Sequence, residues 1–193
     1  YLALKEAFEK MGVDDKLFSE TLRKASGRFG FKPRKQIKMI AEELPEIKLE
    51  QLEAAFKKII DGADKFLYPD VSLSLEELKK ENELIMVSYG DKKYQNEKIK
   101  SSKVIPSFNK IIVTQELHKV SELKKILGDC EKAIFVEDNP HALTEAKKCF
   151  PKIITVRINR GEGRYAKTPD NEKIDFTIAN MDEFKKILEK LER

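Results

Sequence analysis

Long apolar runs are missing from this sequence. No apolar run, such as those at 85–87, 133–136 and 153–156, exceeds about four or five residues, whereas a membrane-spanning helix needs about 20. Cysteine is scarce as well. Cys130 and Cys149 lie 19 residues apart with no Cys-x-x-Cys or histidine-bearing zinc pattern, which excludes a disulfide-stapled miniprotein and reads as two reduced, buried thiols in a cytoplasmic setting. An excess of one charge is also lacking. Thirty-eight Lys and Arg against 34 Asp and Glu leave a net charge of +4, and lysines alternate with glutamates along helical stretches as on solvated helix faces. No basic stripe with interleaved aromatics appears, which argues against a nucleic-acid partner. The sequence opens on Tyr1, not Met, without a signal-peptide-like stretch, so its natural start is expected upstream. What remains is a chain of 193 residues, 40% apolar and 37% charged, able to bury a core and too apolar for disorder.

The first 66 residues read as four short amphipathic helices. Leu4, Ala7, Phe8 and Met11 repeat with helical spacing before Gly12, and Leu17, Thr21, Leu22 and Ala25 continue the pattern to Gly27. Pro33 suits a first helical position and leads into Ile37, Ile40, Ala41 and Leu44, which Pro45 stops. Leu49, Leu52, Phe56, Ile59 and Ile60 form the fourth stripe, closed by Gly62. After Tyr68-Pro69-Asp70-Val71 the rhythm changes. Strand-like runs at 84–87, 111–113, 133–136, 153–158 and 175–179 alternate with helical stretches near 74–80, 93–101, 119–127, 140–149 and 181–191. Apolar strands alternating with helices predict an α/β, Rossmann-like parallel sheet covered on both faces over 67–193. In such open sheets the site lies outside the carboxyl ends of the strands.

Three strand ends carry chemistry. At the first, Ser88 precedes Tyr89, Gly90 and Asp91; the hydroxyl and turn N–H groups suit an oxyanion, and a plain turn explains the same residues. At the second, Lys119 opens a helix beside His118. A lysine there can neutralise a transferring phosphoryl group, or it can be one surface lysine among many. His118, and His141 in the next helix start, read as exposed. At the third, Glu137-Asp138-Asn139-Pro140 puts adjacent carboxylates at a strand end. They suit Mg²⁺, which takes one or two carboxylates with water and phosphate oxygens; equally, Asp138 or Asn139 can cap the helix that Pro140 begins.

In order and spacing, these strand ends resemble the haloacid dehalogenase-like (HAD) hydrolase superfamily over nearly the whole chain. Tyr68-Pro69-Asp70-Val71 and the Leu-Glu-Glu-Leu-Lys-Lys helix look like the return from cap to core. Ser88 resembles the second family motif, Lys119 the third, and Glu137-Asp138-Asn139-Pro140 the acidic fourth. Residues 1–66 then correspond to an inserted helical cap, and 67–193 to the α/β core. The resemblance implies phosphoryl transfer through an aspartyl-phosphate, with a second aspartate two residues after the nucleophile as general acid and base. Asp138 would hold Mg²⁺, and Glu137 would ligate it or orient Lys119. Ser88, with Tyr89 and Gly90, would bind phosphoryl oxygens, Lys119 would balance their charge, and the cap would close over the site.

Two features depart from the family pattern. Glu137 stands where aspartate or glycine is commoner, and Asp-x-Asp-x-Thr/Ser, the nucleophile motif, occurs nowhere in the 193 residues. It is expected upstream of Tyr1, on the central strand. The expected function is a Mg²⁺-dependent phosphomonoesterase acting on a small phosphorylated metabolite, as a monomer or a homodimer. A non-catalytic HAD-like binding or scaffolding protein is the alternative, and a phospho-receiver domain fits poorly. Arg23, Arg28, Phe29 and Arg34 are candidate substrate determinants in the cap, and 159–165 reads as a flexible glycine-containing loop near the active face.

Overall fold

A computed structural model describes residues 1–128 and 132–191. Packing divides the chain into two compact units, residues 1–67 with 88–115, and residues 68–87 with 116–193. The segment 88–115, expected with the α/β part, thus groups with the N-terminal helices. Among the described residues no helix is long and apolar enough to cross a membrane.

The first unit is built on α1 (Leu2–Glu9), α2 (Asp15–Ala25), α3 (Pro33–Glu43) and α4 (Leu49–Asp61). Local chemistry sets their ends. Gly12 turns the chain at φ +97°, a conformation glycine adopts without a Cβ penalty. Asp14 caps α2 by accepting the Leu17 N–H at 2.8 Å, and Pro33 starts α3. Leu4, Phe8, Phe18, Ile37, Ile40 and Leu52 form the buried core, where the Phe8 and Phe18 rings meet edge to face at 6.0 Å. Between α2 and α3 lies a small antiparallel hairpin of β1 (Ser26–Gly27) and β2 (Gly30–Phe31), where the helical pattern had only a stop at Gly27. The unit also holds α6 (Lys92–Ser101) and β4 (Lys110–Thr114). β3 (Ile85–Tyr89) and β4 form a two-stranded sheet.

In the second unit β5 (Ile134–Glu137), β6 (Ile154–Ile158) and β7 (Phe176–Ile178) form a parallel sheet in that order. One face packs on α5 (Val71–Leu78) and α9 (Met181–Leu191) through Leu78, Val156, Ile178, Met181, Phe184 and Ile187. The other packs on α7 (Val120–Leu127) and α8 (Pro140–Cys149) through Leu123, Phe135, Leu143, Ala146 and Ile153. A polar node ties β6 to the start of β7. One Asp175 carboxylate oxygen accepts from the Thr155 N–H at 2.8 Å, the Thr155 hydroxyl at 3.0 Å and the Lys147 ammonium at 2.7 Å. The architecture is the expected α/β one with parallel strands, helices on both faces and a helical bundle. The strands do not form one continuous sheet, however. Among the described residues they fall into groups of two and three, with the short hairpin apart.

One expectation is corrected. Cys149 is a free thiol but exposed, because it ends α8 on the solvent side after Lys147 and Lys148. Cys130 lies outside the described residues.

Candidate functional site

The apolar residues of β5 are drawn into the core, which leaves Glu137 at the carboxyl end of the strand. Its carboxylate forms an ion pair with the Lys119 ammonium, and both side chains are largely buried. It also accepts the Asn139 N–H at 3.3 Å. Lys119 is the residue before α7 and holds a left-handed backbone at φ +61°, ψ +9°. That conformation is costly for a residue with a Cβ and persists only where its surroundings fix it. Here its carbonyl accepts the Leu123 N–H at 2.9 Å and starts the helix. The ammonium also lies 5.9 Å from the Phe135 ring centroid, a cation–π distance.

The cap is assigned by geometry. Asn139, buried, accepts the His141 N–H at 3.1 Å through its side chain, ahead of Pro140 at the first helical position. Asp138, one residue earlier, leaves the capping to Asn139 and is exposed. Partial desolvation of its carboxyl, then the hydrogen bond to Glu137 and the like charge there, push Asp138 up to about 6. Burial alone would also raise Glu137. The Lys119 ammonium, with hydrogen bonds from Asp138 and the Asn139 N–H, outweighs this and holds Glu137 below the ordinary glutamate range. The site thus offers one committed carboxylate, one available carboxylate and one buried ammonium.

This donor set bears on a metal. Among the described residues no group of three or more His, Cys, Asp or Glu could hold one. Two adjacent carboxylates fit a hard cation that completes its shell with water and phosphate oxygens. Since Glu137 is taken by Lys119, Asp138 is the protein oxygen left to offer. His118 is half-buried next to Lys119 and His141 is exposed.

Ser88, Tyr89 and Gly90 come together in the first unit. The Ser88 hydroxyl donates to Gln95 Oε1 at 3.1 Å, and Asp91 caps α6 by accepting the Tyr94 N–H at 2.9 Å. The Tyr89 hydroxyl donates to the Arg28 carbonyl at 2.8 Å. Gly90, at φ +143°, is hemmed in by Gln95, whose amide nitrogen would lie 2.7 Å from an added Cβ. Gly30, at φ +85°, passes so near that a Cβ on it would lie 2.7 Å from Gly90 Cα. Arg28 and Phe29 occupy the exposed hairpin apex, the guanidinium 5.7 Å from the ring centroid. Arg23 and Arg34 are exposed as well. An open cleft of about 500 Å³ on this unit, lined by Asp14, Lys16, Thr21, Met39 and Glu42 among others, contains none of the proposed site residues.

Two features escaped the sequence reading. Arg157, inside the apolar run of β6, is buried at 2% exposure; a charge in a strand covered on both faces was the available signal. The segment 159–165, read as flexible, is anchored. Arg160 pairs with Asp70 at 2.8 Å and stacks on Tyr68 at 4.0 Å, while the Tyr68 hydroxyl donates to Glu162 at 2.6 Å.

No protein-family model matches the chain, and no curated protein matches it. Solved structures do. A haloacid dehalogenase-like hydrolase from Burkholderia xenovorans LB400 aligns with a TM-score of 0.75 at 16% identity, covering 97% of this chain and 88% of that one. The HAD-hydrolase YfnB from Bacillus subtilis, bound to magnesium, aligns with a TM-score of 0.64 at 15% identity, covering 97% and 90%. A HAD phosphatase from Thermococcus onnurineus gives 0.61 at 21% identity, covering 97% and 86%. Dehalogenases are among the other similar structures.

Proposed function

We propose that this chain, which has the fold of the HAD-like hydrolases, belongs to a Mg²⁺-dependent phosphomonoester hydrolase acting on a small phosphorylated metabolite. The observation that carries the reading is the cluster at the end of β5: Glu137 paired with a buried Lys119, and Asp138 beside it pushed up to about 6. An acidic pair of this kind serves a cation, which phosphoryl transfer uses and dehalogenation does not need. The magnesium bound to YfnB and the name of the Thermococcus onnurineus protein lean the same way.

Asp138 is the residue that would hold Mg²⁺, with Glu137 orienting Lys119. A cation held there would supply Lewis-acid polarisation of the phosphoryl group. The Lys119 ammonium would balance charge on the transferring oxygens. The nucleophile is an aspartate expected upstream of Tyr1. Its carboxylate attacks phosphorus as the alcohol leaves with a proton from the second aspartate, which then activates water against the aspartyl-phosphate.

The test is the intact mass and N-terminal sequence of the natural protein, followed by a Mg²⁺-dependent phosphatase panel. An Asp-x-Asp strand ahead of Tyr1 is expected, with activity that needs Mg²⁺ and falls by about 100-fold or more in Lys119→Ala and Asp138→Ala. An upstream Asn or Ala in place of the first aspartate would select the non-catalytic binding protein instead.

A further inference from the structure

A guanidinium is expensive to bury unless its donors are met, so the acceptors around Arg157 show what its burial serves. Nη1 donates to the Thr168 carbonyl at 2.8 Å and to the Asp170 carboxylate, and Nη2 donates to the Tyr165 carbonyl at 2.6 Å. Nε, also buried, has no partner among the described residues. The second Asp170 oxygen accepts from the Thr177 hydroxyl at 2.6 Å. Every acceptor that Arg157 reaches lies within 165–170, a stretch in neither helix nor strand. Asn159 adds a bond from its amide nitrogen to the Ala166 carbonyl at 3.2 Å.

The register places this fastening beside the site. Arg157 is paired with Glu137 across β5 and β6, and with Thr177 across β6 and β7. Directly paired residues share a face of a sheet, so Glu137, Arg157 and Thr177 form one row at the carboxyl ends of the strands. Its first member holds Lys119; the other two hold the segment 165–170.

We infer that Arg157 is a positioning residue, holding 165–170 as a fixed wall next to the Lys119–Glu137–Asp138 cluster and so setting substrate binding without entering the chemical step. The kinetic part of this inference rests on the proposed hydrolase reading; the mechanical part does not.

Arg157→Met, Arg157→Lys and Asp170→Asn in the full-length protein test both parts. Limited trypsin digestion reads the wall through cleavage after Arg164 and Lys167, and steady-state kinetics on a phosphomonoester read the site. Losing the charged hydrogen bonds in Arg157→Met is expected to speed cleavage and raise KM by about tenfold each, with kcat within about twofold. Arg157→Lys keeps the charge but loses the fork and should recover part of both effects. Asp170 has a half-exposed side chain; Asp170→Asn tests the same link if Arg157→Met fails to fold, with an effect of about threefold. Cleavage at the wild-type rate in the folded variants, or a fall in kcat at unchanged KM, would overturn the inference. If the wild-type protein hydrolyses no phosphomonoester, the hydrolase reading falls and digestion alone decides whether Arg157 holds the wall.

Discussion

The helical bundle and the three-stranded unit fill their interiors with different chemistry. In the bundle the deepest side chains are Phe8, Phe18, Ile37, Ile40 and Leu52. The buried polar residues Thr21 and Gln36 are uncharged: Thr21 donates to the Leu17 carbonyl at 2.7 Å within α2, and Gln36 donates to the Phe18 carbonyl at 3.1 Å from α3 to α2. In the three-stranded unit the buried set includes two cations, Lys119 and Arg157, besides Asn139 and Thr155, and each cation is paired with a carboxylate, Glu137 and Asp170. Packing free energy holds the first region together. The second gives up some of that free energy to keep charges in fixed places, a pattern that clusters at functional sites.

That contrast breaks most easily in the bundle. Phe18→Ala removes a side chain in contact with Phe8 and Tyr1 and should cost about 3–5 kcal/mol in urea unfolding. A cost under about 1 kcal/mol would mean that the bundle core collapses around the gap and is less ordered than its packing indicates.

Polar order in the sheet is tested by Asp175→Asn, expected to cost about 1–3 kcal/mol because Lys147 and Thr155 lose a charged acceptor. Burial opposes ionisation of Asp175, but Lys147 and Thr155 outweigh it and hold the carboxyl below the usual range. A depressed carboxyl contributes stability that is present above its unfolded value of about 3.9 and lost as pH falls through the folded value. In unfolding measured from pH 7 downward, the gap between wild type and Asp175→Asn should therefore be full at neutral pH and narrow as pH falls below about 3.9.

The smallest effect sharpens the comparison furthest. Asp138 is pushed up in the folded protein, so its ionised form is disfavoured there at neutral pH. Asp138→Asn should leave the melting temperature unchanged or slightly raised, while phosphatase activity is lost. A clear drop in melting temperature would show that the carboxylate supports the fold and undo the functional reading of this strand end.

Legibility in the sequence followed the same division. The segments 140–149 and 181–191 read correctly to the residue, because caps and periodic apolar residues act locally. The hairpin at 26–31 was not legible, since two-residue strands carry no alternation. Nor could apolar runs reveal which strands pair, so the grouping into two and three came only from the structure. Lys119, Glu137 and Asp138 were visible as polar residues just past buried strands. Arg157 was marked only as a charge inside an apolar strand, and its role was hidden because two of its acceptors are the backbone carbonyls of residues 165 and 168, which leave no mark in a sequence.

The close pass of Gly30 and Gly90 also has a consequence for engineering and for descent. A side chain at position 30 would run into the backbone of residue 90, 60 residues away, so position 30 stays glycine while the turn at 88–91 stays where it is. A chimaera that takes its bundle from another chain must therefore import the turn at 88–91 as well. In diverging sequences, a side chain at position 30 is expected only where the turn at 88–91 has moved away.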